Sequence, residues 1–286
     1  MSIMRKFLVL SGLILWASFA GAAQFQQHQY RVGEKFFYAF EDTEYNYQVS
    51  VNDKNERSME LSEIQEIRTD LKLSVIREKS GKTVRKMEIY NTQYKEGSTE
   101  NYNQAEYRLL TTLIKNFPKV FSYTYEVEAA KNRVISDFAK FCAPYMNCSV
   151  GNFFYFKTLD IHTFESVIER MAGSLEPEKF RKIESSNPKI SGGSFFNNSP
   201  AVTYNRTETM NGVPCAVFKY STVGNRYVSE QFGVNLITDY GANIYVALEG
   251  KLAGMLIFGE LHETVTGLNQ GKPAYVVRML TMRMRH

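Results

Sequence analysis

Residues 239–267, DYGANIYVALEGKLAGMLIFGELHETVTG, decide the fold class. Ile244, Val246 and Leu248 alternate with Tyr245, Ala247 and Glu249, the two-residue period of a β-strand. Glu249, Gly250 and Lys251 then supply turn chemistry, with a glycine free to take positive φ. The return strand runs from Leu252 towards Val265. It sets Met255, Ile257 and Leu261 on one face and Leu256, Phe258, Glu260 and His262 on the other. The faces differ in polarity only towards the end, which predicts a hairpin whose middle is covered on both sides.

Outward from this hairpin the same period recurs. Segments 201–208, 213–222 and 227–238 precede it as strands, and 275–284 closes the sheet. Near the other end, 36–40 is an aromatic strand. Tyr45, Tyr47, Val49 and Val51 alternate with Asn46, Gln48, Ser50 and Asn52. Residues 59–77 mix helical spacing (Ile64, Ile67, Leu71) with alternation (Leu71, Leu73, Val75). Ser80-Gly81-Lys82 reads as a turn, so two long strands are expected across 59–94. Residues 95–104 read as a polar loop.

Two or three helices are expected in the middle of the chain. Leu109, Leu110, Leu113, Ile114 and Phe117 form a helical face stopped by Pro118. Phe164, Val167, Ile168, Met171 and Ala172 fall at helical spacing, with Asp160 or Thr163 as cap. A short third helix at 175–183 is entered through Pro177. The fold class is therefore mainly β (α+β): an antiparallel, curved or partly open, barrel-like sheet with two or three helices. Its organisation divides into a leader at 1–23, a β region with the helical segment at 24–184, a Ser/Asn/Gly/Pro linker or long loop at 185–200, and a second antiparallel β region at 201–286. The two β regions can equally form one continuous domain.

The leader carries Arg5 and Lys6, a short apolar run from Phe7 to Phe19, and Ala20-Gly21-Ala22 as a cleavage site, the three parts of a secretory signal. Its apolar run is shorter than the ~20 residues a membrane span needs, and no membrane span is expected elsewhere. The mature chain is expected to be exported, periplasmic or secreted. The net charge of +4 falls by two with Arg5 and Lys6, too slight for a nucleic-acid partner. The short basic run at 278–285 reads as a solvated terminal strand. Composition, 44% hydrophobic and 14% aromatic, excludes disorder.

Export gives the three cysteines meaning. Cys142 and Cys148 are expected to close the loop CAPYMNC as a disulfide, and Cys215, among Val213, Val217 and Phe218, to stay a buried thiol. The histidines are His28, His162, His262 and His286. Asp160 and His162 could meet His262 and Glu263 around a metal only if the fold brings them together. Glu260 and Glu263 could flank a glycosidic bond only if one cleft holds both. No nucleophile elbow, zinc-protease motif or P-loop is present, and Ser191-Gly192-Gly193-Ser194 reads as linker. No catalytic residue, metal or cofactor is assigned. The expected function is binding of a hydrophobic or amphipathic, lipid-like ligand on an apolar sheet face. The rivals are a secreted hydrolase using carboxylate or His residues, and a structural interaction module of the cell envelope.

Overall fold

The computed structural model describes residues 24–25, 28–54, 56–79, 82–114, 117–127, 173–174, 181–182, 194–196, 201–230 and 233–285. The long strands come in two groups. The first comprises β2 (Lys35–Val51), β3 (Arg57–Lys79), β4 (Lys82–Ser98) and β6 (Val120–Val127). The second comprises β10 (Ala201–Met210), β11 (Val213–Ser229), β12 (Val234–Ala247), β13 (Leu256–Asn269) and β14 (Lys272–Arg285). Short strands β1 (Gln24–Phe25), β5 (Arg108–Leu109), β7 (Gly173–Ser174), β8 (Arg181–Lys182) and β9 (Ser194–Phe196) lie between or before them. β1 and β7 pair apart from the rest. The other twelve form one antiparallel sheet in the order β5-β4-β3-β2-β14-β13-β12-β11-β10-β8, with β6 also on β4 and β9 on β11. Among the described residues the sheet does not close on itself.

Neighbours along the chain pair through hairpins, and among the described residues a single ladder, between β14 and β2, joins the two groups. Turn chemistry sets the registers. Asn211 and Gly212, both at positive φ, make the two-residue turn from β10 to β11. Gly267 sits at φ +134°, and a Cβ built there would meet the Asn235 carbonyl oxygen at 2.1 Å, so only glycine lets β12 and β13 approach.

Period-two alternation gives the sheet a core face. Tyr38, Phe40, Leu71, Ile89, Phe121, Phe218, Ile244, Leu261, Leu280 and Met282 are buried there in one cluster. Full burial of a side chain such as Ile244 contributes about 1.5–3 kcal/mol. In the middle of the β12–β13 hairpin Tyr245 and Phe258 are also buried on the opposite face, as the weak polarity contrast predicts.

Several expectations need correction. The face assignment of the return strand breaks at Ile257. Tyr245 pairs with Phe258 but Val246 pairs with Leu256, so Ile257 is the extra residue of a bulge. Leu256 thus joins the core face with Val246 while Phe258 stays with Tyr245. The strand also starts at Leu256 rather than Leu252, because residues Gly250–Leu252 form a 3-10 turn. Polar residues 95–98 extend β4, their backbone paired with β3 up to Ser98.

Of the helical face at 105–117 only one turn forms, α1 (Leu110–Leu113), since Leu109 enters extended and Ile114 leaves extended ahead of Pro118. In the expected third helix, Arg181 and Lys182 are strand and pair with Val202 and Ala201. The expected helix at 164–172 lies outside the described residues. Among the described residues, therefore, one short helix stands where two or three middle helices were expected.

Candidate functional site

The core face is divided along its strands. One half is apolar: Tyr38 and Phe40 on β2, Leu71 and Leu73 on β3, Met87 and Ile89 on β4, Leu280, Met282 and Met284 on β14, and Phe218 and Tyr220 on β11. Continuing at two-residue steps, the same face becomes polar: Asp42, Glu44 and Asn46 on β2, Gln65 and Glu63 on β3, Tyr94 and Glu96 on β4, Arg278 on β14 and Glu263 on β13. Burial falls with this change. β12 is buried from Ile244 to its end and not buried before Ala242, and β13 runs the opposite way, as antiparallel pairing requires.

Arg278 marks the border. Its Nε donates to both Asp42 carboxylate oxygens, at 3.0 and 2.9 Å, and its Nη2 also donates to Asp42. Nη1 donates to Glu263 at 2.9 Å. Asp42 is fully buried, so this charge exists in the interior only because the guanidinium fork answers it. On the C-terminal side of the sheet the border is marked by the stacked rings of Tyr220 and Tyr240, 5.6 Å apart with hydroxyls at 3.2 Å, and by Thr222 donating to Asn225 at 3.2 Å.

Beyond the border two carboxyls meet. Glu63 and Glu96 share a hydrogen bond, which together with burial and the Glu96 charge pushes Glu63 up to about 7. The same bond, with the Tyr94 hydroxyl donating at 2.7 Å, holds Glu96 below the usual carboxylate range. One proton shared by two carboxylates replaces a like-charge repulsion with a link between β3 and β4.

The opposite face is charged. Glu66 accepts from the Tyr102 hydroxyl at 2.5 Å and from Arg68 Nε at 2.8 Å. Burial opposes its ionisation, but Tyr102, Tyr107 and Arg68 outweigh it and hold Glu66 below the usual range. The Arg68 guanidinium lies 4.4 Å from the Tyr107 ring centroid, and Lys95 Nζ 4.0 Å from that of Tyr102. This network fastens the segment after β4 onto β3. Glu41, Lys72, Glu88 and Glu260 also lie on this face. Among the described residues no helix is long and apolar enough to cross a membrane.

The residues singled out in the sequence fare unevenly. Glu260 and Glu263 point to opposite faces of β13, Glu260 towards Asn243 and Glu263 towards Arg278, so they cannot flank one bond. His262 likewise faces away from Glu263 and is exposed. His162, His286, Asp160, Cys142 and Cys148 lie outside the described residues, as do Ser191 to Gly193. Cys215 is fully buried and donates to the Val213 carbonyl at 3.3 Å, and burial pushes its thiol up to about 11, far from nucleophilic use. Among the described residues no group of three or more His, Cys, Asp or Glu could hold a metal ion. Arg278, read as part of a solvated basic strand, is instead buried. The signal was its place in the period Arg278, Leu280, Met282, Met284, matched by Asp42 in Tyr38, Phe40, Asp42.

A second feature lies at the apolar end. His28 Nδ1 is 3.1 Å from the Ala253 carbonyl oxygen and its Nε2 is 3.2 Å from Glu34, while Tyr30 and Phe36 pack edge-on against its ring. These contacts hold residues 28–34 against the β12–β13 turn and leave a cleft of about 640 Å³ between them.

No family model matches the chain, and no curated protein does. Among solved structures, an outer membrane channel from Pseudomonas putida F1 aligns at 8% identity over 93% of this chain and 98% of that one, with a TM-score of 0.25. An exported protein with a YmcC-like fold from Bacteroides fragilis aligns at 9% identity over 92% and 100%, with a TM-score of 0.23. A lipoprotein from Parabacteroides distasonis aligns at 9% identity over 90% and 97%, with a TM-score of 0.25. Scores of this size do not establish a common fold.

Proposed function

We propose that the protein is exported and binds an amphipathic, lipid-like ligand on the core face of its open sheet, without catalysing a reaction. The observation that carries this reading is the division of that one face into an aromatic, apolar half and a polar half bordered by Asp42, Arg278 and Glu263. An acyl or other apolar body matches the first half and a polar head the second, the pattern of a site that fixes orientation with few polar groups. Export rests on the leader at 1–23, and the Cys142–Cys148 bridge belongs to the same reading.

A fluorescent fatty-acid probe tests it. Saturable uptake by the folded parent, displaced by added phospholipid, supports the reading. Failure of the folded parent to take up the probe or to compete with it using phospholipid contradicts it.

A further inference from the structure

The cleft at the apolar end carries a surplus of positive charge that nothing described so far uses. Arg31 and Lys251 both line it, one on the segment before β2 and one on the 3-10 turn between β12 and β13. Among the described residues neither side chain has a hydrogen-bond or ion-pair partner. The carboxylate of the cleft, Glu34, is already engaged by His28 Nε2 and by the Arg31 backbone N–H at 2.9 Å, so it does not answer the two cations. The wall that carries Arg31 is tied to β3, because Gly33 N–H donates to the Val75 carbonyl at 2.8 Å and Val75 N–H to the Glu34 carbonyl at 3.0 Å.

We infer that this cleft is an anion site for a phosphate group. Two cations lining one cleft from separate segments suit a tetrahedral oxyanion, which offers oxygens to an arginine fork and to a lysine ammonium at once. A carboxylate presents one planar pair of oxygens and would occupy Arg31 alone. The space, about 640 Å³, admits a phosphate together with the group that bears it, whether a free phosphorylated molecule or a phospholipid head. The inference does not depend on the lipid-like ligand proposed for the sheet face, and the two fail separately, since inorganic phosphate has no apolar body.

The test uses isothermal titration of the mature protein with inorganic phosphate, repeated with Arg31→Gln, Lys251→Gln and the double variant. Saturable one-to-one binding is expected, about tenfold weaker in each single variant and lost in the double. It should also weaken with added salt. Unchanged thermal midpoints show that these exposed substitutions leave the fold intact. Co-sedimentation with phosphatidic acid and with phosphatidylcholine vesicles then distinguishes the sources. Selective capture by phosphatidic acid that the double variant loses identifies a lipid head, and phosphate binding without capture identifies a free phosphorylated molecule. No saturable phosphate binding, or binding that the double variant retains, overturns the inference.

Discussion

Arg278 and Asp42 stand 236 positions apart in the chain and meet as a two-pronged buried ion pair where β14 lies against β2. The pair spans the ladder that joins the two strand groups, so it ties the sheet together at its middle. Asp42→Ala leaves a guanidinium buried without its main partner and should cost about 3–5 kcal/mol in chemical denaturation. Asp42→Leu combined with Arg278→Met removes both charges, and Glu263, partly exposed, can turn to water. The double variant should recover most of the loss, and a double variant no better than Asp42→Ala would show that the pair is not the source of the cost.

The Glu63–Glu96 pair makes stability depend on pH in a stated direction. Glu63 rises from its ordinary 4.5 to about 7 on folding, through its hydrogen bond with Glu96, then burial and the Glu96 charge. A carboxyl with a raised value contributes stability that is complete below 4.5 and is lost as pH rises through about 7. Glu96, held low, behaves oppositely and loses its contribution only on acidification. Glu63→Gln keeps a donor towards Glu96 and cannot ionise. Its melting temperature relative to the parent should therefore improve between about pH 5 and pH 8. A gap that stays constant across that range would rule out a shared proton.

The bulge in β13 gives a third expectation. Ile257 is fully buried, and Ile257→Asp must either keep a charge in an apolar interior or take up a proton. The loss of several kcal/mol is a large part of the roughly 5–15 kcal/mol that holds a domain together. Lys251→Ala in the adjoining turn should change stability by less than about 0.5 kcal/mol. Equal denaturation midpoints for Ile257→Asp and the parent would remove Ile257 from the core.

Much of the sheet was legible because period two survives wherever one face is buried, as in Tyr38-x-Phe40 or Ile244-x-Val246. Where both faces are partly wet, as at 95–98, composition suggests a loop and only the partner strand reveals the extension. The bulge at Ile257 was hidden for another reason: an extra residue leaves the local pattern intact and shifts only what lies opposite. The helical spacing around Leu110 yielded a single turn because β-structure claims the chain on either side of it. The site was less legible still. Asp42 and Arg278 each interrupt an apolar face, but one sequence does not say that the two interruptions meet. Glu260 and Glu263 are close in sequence, yet an odd spacing on a strand sends them to opposite faces.

Residues 142 and 148 offer a fourth test. A bridge closing so short a loop should contribute up to roughly 2–3 kcal/mol. Peptide mapping without reductant should find Cys142 joined to Cys148 and Cys215 free. Free thiols at both loop positions would rule the bridge out.

Ligand binding on the divided core face is tested most directly by native mass spectrometry of the protein, purified without detergent. The expected spectrum shows the mature chain, begun at Ala23 or Gln24, with an added mass that dissociates as an acyl-bearing molecule. A parent that emerges ligand-free and takes up no lipid offered to it would contradict binding on that face.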